Sequence, residues 1–325
     1  MEAKKARYIT TERTSVVGDA SKASDSYDRV SEGRKVRKYL TTTLPYVNAD
    51  PHIGFALEVI QADTLARYWR LMGHEVFFNT GTDEHGQKIA QKADEKGESR
   101  QVYVDHYAAE FNRLKEALNL SYDNFIRTTD ELHKAAAQEI WRRCAAKSDI
   151  YKKSYTGLYC VGCELFYTEK ELDENKCCLI HGKAVEEVEE ENYFFRLSKY
   201  QEALVEHLSN ESAVTPEWQR QWALEFVKGG LEDLSISRQK NRMDWGVPVP
   251  GDDEHVMYVW FDALTNYIST LGWPATTLEP IDSSVRAGKP EDLFQKFWVE
   301  GETLQLAGKD QVRFQSIIWQ AMLMS

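Results

Sequence analysis

The run from Tyr39 to Thr43 is apolar and β-branched, and Pro45 and an Asn48-Ala49-Asp50-Pro51 turn separate it from an amphipathic stretch. That order reads as a buried strand followed at once by a helix. From Phe55 the apolar residues Val59, Ala62, Ala66 and Trp69 recur at alternating steps of four and three, and Gly73 supplies the stop. A second strand, Glu75 to Thr80, then runs into Gly81-Thr82-Asp83-Glu84-His85-Gly86. Strand, helix and strand in this order close as a right-handed crossover in a parallel sheet. The expected fold is therefore α/β, with a doubly wound parallel sheet. Both polar clusters fall at the carboxyl ends of their strands, where open parallel sheets take ligands. Backbone N–H groups at a helix start attract anions, so His52 and Gly54 stand where a phosphate would bind, and glycine permits a close backbone approach.

With 325 residues, 42% of them hydrophobic and 12% aromatic, the chain can build more than one core. No apolar run approaches the length of a membrane span. The formal charge of −12 opposes nonspecific nucleic-acid binding, so any contact with nucleic acid has to be local. The acidic run Glu186 to Glu191 reads as a solvated segment. Five cysteines and no secretory leader point to a reducing, cytoplasmic compartment.

Cys160-Val161-Gly162-Cys163 and Cys178-Leu179-Ile180-His181 form two turns in which a ligand type recurs after two residues. Each turn can wrap one edge of a tetrahedral ion, and a Cys3His set would be a closed, structural zinc site. Cys177 competes with Cys178, but the Cys178 spacing mirrors the first pair. Cys144 lies on an expected helix, Leu132 to Ala146, and suits the core.

Further helices are expected over Arg100 to Ala117, Lys199 to Leu208, Pro216 to Lys228 and Asp262 to Leu271. Strands are expected at Leu234 to Arg238, Val256 to Trp260 and Leu304 to Ala307, the last delivering Gly308-Lys309-Asp310. Taken singly, Trp260, Tyr267 and Phe314 suit a core as well as a ligand wall, and His85 suits a hydrogen-bonded turn. Only the order of the motifs in one α/β frame favours a site.

Pro51-His52-Ile53-Gly54 after the first strand resembles the first signature of the class I aminoacyl-tRNA synthetases. Leu44-Pro45-Tyr46-Val47-Asn48, Gly81 to Gly86, Tyr258-Val259-Trp260-Phe261-Asp262-Ala263-Leu264 and Gly308-Lys309-Asp310-Gln311-Val312-Arg313-Phe314 together are similar to the methionyl-tRNA synthetases. The resemblance runs from about Val36 to the last residue. It implies a Rossmann-like catalytic domain split by a zinc-knuckle connective insertion, and ligation of methionine to tRNA(Met) through methionyl-adenylate. The corresponding units are a disordered tail over 1–35, a first catalytic half over 36–150, the insertion over 151–228 and a second half over 229–325.

The resemblance also implies roles. His52 and Lys309 would act on ATP, with Gly54 and Asp310 completing its site and Mg²⁺ accompanying the phosphates. Asp83 would hold the α-ammonium of L-methionine beside Leu44. The thioether would lie among Tyr46, Trp260, Ala263, Leu264, Tyr267 and Phe314, since aromatic rings suit a polarizable sulfur. Cys160, Cys163, Cys178 and His181 would hold Zn²⁺. Three positions depart from the pattern. Phe55 stands where a second histidine is usual, Gln315 stands where a histidine often follows Phe314, and the Lys-Met-Ser-Lys-Ser signature does not occur before Ser325. A truncated catalytic domain without the anticodon-binding module is the expectation. The alternatives are another class I synthetase, a noncatalytic methionine- and ATP-binding fragment, or a nucleotidyltransferase for other small molecules.

Overall fold

Tyr39 and Leu40 are both fully buried but belong to different cores, as do the adjacent Phe77 and Phe78. Successive side chains on a strand point to opposite faces, so a sheet covered on both faces makes apolar neighbours of this kind. The computed structural model describes residues 7–11, 35–160, 165–167, 169–180, 182–274 and 293–325. Its central sheet runs in the order β4 (Asn124–Arg127), β3 (Glu75–Thr82), β2 (Arg37–Thr41), β13 (Glu302–Gly308), β1 (Arg7–Thr11) and β8 (Val214–Thr215). Every pairing in it is parallel. One face packs on α1 (Ile53–Leu71) and α3 (Arg100–Ala117), through Phe55, Val59, Tyr103 and Phe111 against Leu40, Phe78, Leu304 and Leu306. The other face packs on α4 (Glu131–Ala146) and the aromatic residues near the chain end.

Chain order reverses between β2 and β13. After β2 the chain winds outward through β3 to β4, whereas β13 leads to the other edge. Their ladder ends at Gln305 and Thr41, so Thr42, Thr43 and Leu306 to Gly308 continue without pairing to each other. A crevice at such a switch point is the usual ligand position in an open α/β sheet.

Several expectations are corrected. Arg7–Thr11, expected in a disordered tail, is a strand beside β13. The polar composition around it outweighs a short Tyr-Ile-Thr-Thr run, while the edge of β13 supplies the ladder that composition cannot reveal. The acidic run is part of β7 (Glu186–Phe195), which pairs antiparallel with β5 (Ile150–Cys160); Glu186 and Glu187 stay exposed while Val188 is buried. With β6 (Leu165–Tyr167) and β9 (Leu234–Ser235) these strands form a second sheet. The single strand expected over Leu234 to Arg238 divides between β9 and β10 (Ser237–Gln239). With β11 (Pro248–Val249) and β12 (Asp252–Met257), β10 makes a small antiparallel sheet. Because that ladder ends at Met257, Trp260 stands on a short helix, α7 (Val259–Ala263), and not on a strand. The helix expected from Asp262 to Leu271 is interrupted, with α8 restricted to Asn266–Ser269.

Candidate active site

His52 is the N-cap of α1, and its Nδ1 accepts from the N–H groups of Gly54 at 3.1 Å and Phe55 at 3.3 Å. Two donors expected to meet a phosphate are thus already occupied by the histidine. This bond fixes the proton of the neutral ring on Nε2, so the exposed imidazole becomes the donor that faces outward. Gly54 has a sharper reason than ligand approach. A Cβ there would lie 2.9 Å from both Cε1 and Nδ1 of His52, so only glycine leaves room for this cap.

Across the crevice, β13 ends in a turn that exposes Lys309 and Asp310. A Cβ on Gly308 would come within 2.7 Å of Asp310 Oδ1, so here too glycine lets a neighbouring side chain fold back.

Asp83 follows β3 and is 4% exposed. Its N–H donates to Pro45 O at 2.9 Å, and Val47 N–H donates to Asp83 O at 3.1 Å. The Leu44 to Tyr46 segment and Asp83 are therefore joined through backbone, independent of side chains. Gly81 makes this possible, since a Cβ would stand 1.9 Å from Ile126 O on β4. The next residue, Glu84, is fully buried and bidentate to Arg127 at 2.7 and 2.8 Å, with hydroxyls of Thr82 and Thr129 on the same carboxylate. Those donors saturate it, which marks a structural ion pair.

Trp260 stacks on Phe314 with centroids 3.8 Å apart and planes 18° from parallel. Ala263, Leu264, Tyr267, Phe314 and Gln315 are buried, and Leu44 is 8% exposed. Gln315 Nε2 donates to Tyr267 Oη at 2.5 Å, and Tyr39 Oη donates to Tyr267 O at 2.9 Å. Burial pushes the Tyr267 hydroxyl well above its ordinary pKa, so it stays protonated and keeps a donor.

Beneath this wall Asp262 Oδ2 is 3.1 Å from His85 Nδ1, and Oδ1 is 3.5 Å from His133 Nε2. All three are buried. Burial drives the Asp262 carboxyl upward, but the flanking His85 and His133 outweigh it and hold the group below its usual range. His133 Nδ1 lies 3.0 Å from Ser269 Oγ, so the network joins the loop after β3 to α4, α7 and α8.

In the second sheet, Cys160 pairs with Leu165 across a four-residue connection, and Cys178 N–H donates to Lys183 O at 2.9 Å to close a tight turn. Cys160 and Cys178 are buried, whereas Cys177 is partly exposed. Cys163 and His181 lie outside the described residues. Among the described residues no three His, Cys, Asp or Glu side chains converge as a metal site.

Residues 38–177 and 170–325 match the family described as tRNA synthetases class I (M). The chain belongs to that family. A methionine--tRNA ligase of Thermotoga maritima is 46% identical over 291 residues, spanning 88% of this chain and 43% of the relative. One from Mycobacterium tuberculosis is 44% identical over 291 residues, spanning 88% of this chain and 53% of that protein. The chain therefore spans about half the length of the curated relatives it matches. Mycobacterium tuberculosis methionyl-tRNA synthetase in complex with methionyl-adenylate superposes with a TM-score of 0.80 at 43% identity, covering 90% of this chain and 54% of that one. The apo form superposes at 0.72 and 40% identity, covering 90% and 54%.

Within this class I synthetase frame the departure at Phe55 has a local reason. Its ring is 8% exposed and packs edge-on against Phe111 at 5.3 Å, so that position faces the core between α1 and α3. Sequence reasoning missed the role of Glu84, the sandwiched Asp262 and a buried glutamate on α1, Glu58. The one available signal for Glu58 was a carboxylate on the otherwise apolar face beside Val59 and Ala62.

Proposed function

We propose that this chain is the activating portion of a methionine--tRNA ligase. The observation that carries the reading is the meeting of three strand ends at one switch point. β2 leads to the His52-capped helix, β3 to the backbone-anchored Asp83, and β13 to Lys309 and Asp310. Methionine carboxylate oxygen attacks the α-phosphorus of ATP, a P–O bond forms, and pyrophosphate leaves with the electrons of the broken P–O bond. Such a step needs in-line placement and donors around developing charge, with no covalent protein intermediate. His52 Nε2–H and Lys309 supply those donors, Gly54 admits the cap, and Asp310 accepts from ribose hydroxyls. Mg²⁺ would accompany the triphosphate and neutralise part of its charge.

Asp83 pairs with the α-ammonium beside Leu44. Tyr46, Trp260, Ala263, Leu264, Tyr267, Phe314 and Gln315 enclose the thioether. A buried carboxylate and a stacked aromatic floor favour an amino acid with a long, soft, uncharged side chain. A terminal ribose hydroxyl of tRNA(Met) then attacks the methionyl carbonyl carbon, an ester C–O bond forms as the hydroxyl proton is lost, and AMP leaves with the electrons of the broken acyl–oxygen bond.

We divide the chain into catalytic halves at 36–150 and 229–325 around an insertion at 151–228, which the antiparallel β5 and β7 support. Zn²⁺ in the insertion would be held by Cys160, Cys163, Cys178 and His181 as a structural ion. The burial of Cys160 and Cys178 supports that set, and Cys178 fits it better than the partly exposed Cys177. The cysteine usage supports a cytoplasmic location. No helix among the described residues is long and apolar enough to cross a membrane.

ATP–pyrophosphate exchange in the full-length protein, measured across amino acids, tests the reading. Stimulation by methionine is expected, and stimulation by leucine, cysteine or glutamate instead overturns the specificity. Elemental analysis should find about one zinc per chain, as a four-ligand site requires.

A further inference from the structure

Of the proposed thioether wall, Trp260 and Ala263 stand on α7 and Tyr267 on α8, helices of five and four residues. Helices this short have no stability of their own, so the wall stands only where tertiary contacts hold it. Asp262 lies on α7 between Trp260 and Ala263, and its side chain is fully buried. Its Oδ2 accepts from His85 Nδ1 at 3.1 Å; an ionised carboxylate can only accept, so His85 carries a proton there. His85 stands two residues past Asp83 and is itself pinned by Trp245. The indole Nε1–H donates to Glu84 O at 2.6 Å, Gly86 N–H donates to Trp245 O at 3.0 Å, and the indole meets the imidazole edge-on at 5.8 Å. On the other side Asp262 Oδ1 is 3.5 Å from Nε2 of the fully buried His133, whose Nδ1 is 3.0 Å from Ser269 Oγ on α8. One carboxylate thus joins both wall helices to the loop that carries Asp83.

We propose that Asp262 is a positioning residue for methionine: through His85 and His133 it fixes the distance between the thioether wall and Asp83, and that distance sets the length of amino-acid side chain accepted. An amino acid held by its ammonium at Asp83 reaches the wall with its side chain. A shorter one leaves a gap there and a longer one has to displace a ring, and either penalty exists only if the wall cannot follow the ligand. Asp262, fully buried, acts through the wall and not on the substrate.

This inference rests on the proposed activation of methionine. The test is ATP–pyrophosphate exchange by the full-length protein with methionine, with ethionine, one methylene longer, and with S-methylcysteine, one methylene shorter. Wild type should favour methionine over each by at least about tenfold in kcat/KM, the usual worth of one methylene in an apolar pocket. In Asp262→Ala and, from the α4 side, in His133→Ala, those ratios should fall to within about threefold through KM for the amino acid, while KM for ATP stays within about twofold. Asp262→Asn keeps the shape and an oxygen toward His85, so its ratios should fall between wild type and the alanine variants, and it carries the test if neither alanine variant folds. Wild-type ratios in the substituted proteins, or KM for ATP rising as much as KM for methionine, overturn the proposal. Wild type without methionine-dependent exchange overturns the activation reading, and the positioning role with it.

Discussion

The two ends of the crevice are built by opposite means. At the proposed nucleotide end His52, Lys309 and Asp310 are exposed, and glycines at 54 and 308 let their neighbours fold back. At the proposed amino-acid end Asp83, Tyr267, Phe314 and Gln315 are buried and held by backbone pairing, stacking and side-chain hydrogen bonds. A triphosphate brings its own charge and counterions, so its partners can remain solvated until it arrives. An uncharged thioether offers only shape and dispersion, which demand a wall desolvated in advance. The charge at the proposed methionine end is confined to one carboxylate, where an ammonium needs a shielded partner.

The sharpest way to break this contrast is Asp83→Ala. Losing a buried carboxylate from a charge pair costs about 3 kcal/mol, or ~100-fold in methionine affinity, with ATP affinity little changed. Exchange kinetics with each substrate varied in turn check this, and an equal loss on both would merge the two ends. Glu58→Gln should change stability in a pH-dependent way. Because the folded carboxyl titrates at about 7 instead of its ordinary 4.5, wild type is most favoured below the ordinary value and loses stability as pH rises through about 7. The melting temperature of the variant relative to wild type should therefore climb between pH 5 and pH 8, by an amount equivalent to at most roughly 3 kcal/mol. A difference independent of pH would show that the carboxyl is not buried as described.

Gly54→Ala belongs to the nucleotide end alone. Its Cβ displaces the His52 ring, removing a helix cap worth about 1 kcal/mol and raising KM for ATP roughly tenfold while methionine binding holds. Isothermal calorimetry with each ligand separates these terms. Gln315→Leu should cost about 1 kcal/mol in methionine binding by removing the bond to Tyr267, with ATP unaffected. The smallest effect is expected from Glu187→Gln on the solvated strand β7, within about 0.5 kcal/mol in chemical denaturation.

Much of the frame is legible in the order of residues alone. The crossing from β2 through α1 to β3 matches the expected elements within a few residues, and the Arg100–Ala117 helix matches at both ends. Less of the site is legible. His52 stands out as a motif residue, but its service as the cap of its own helix does not, because that depends on a ring orientation. Trp260 reads as part of a strand because Val256 to Trp260 alternates and is β-branched, whereas the ladder partner of that strand runs out at Met257.

By itself the sequence determined the parallel α/β frame and the family, because strand and helix periodicities and turn residues act over short spans. Tertiary structure decided the rest. His85 meets Asp262 across 177 residues, and Arg7–Thr11 finds its ladder on β13 nearly three hundred residues later. Burial and long-range hydrogen bonding set those groups' charge and orientation, and neither is encoded in any local window of the chain.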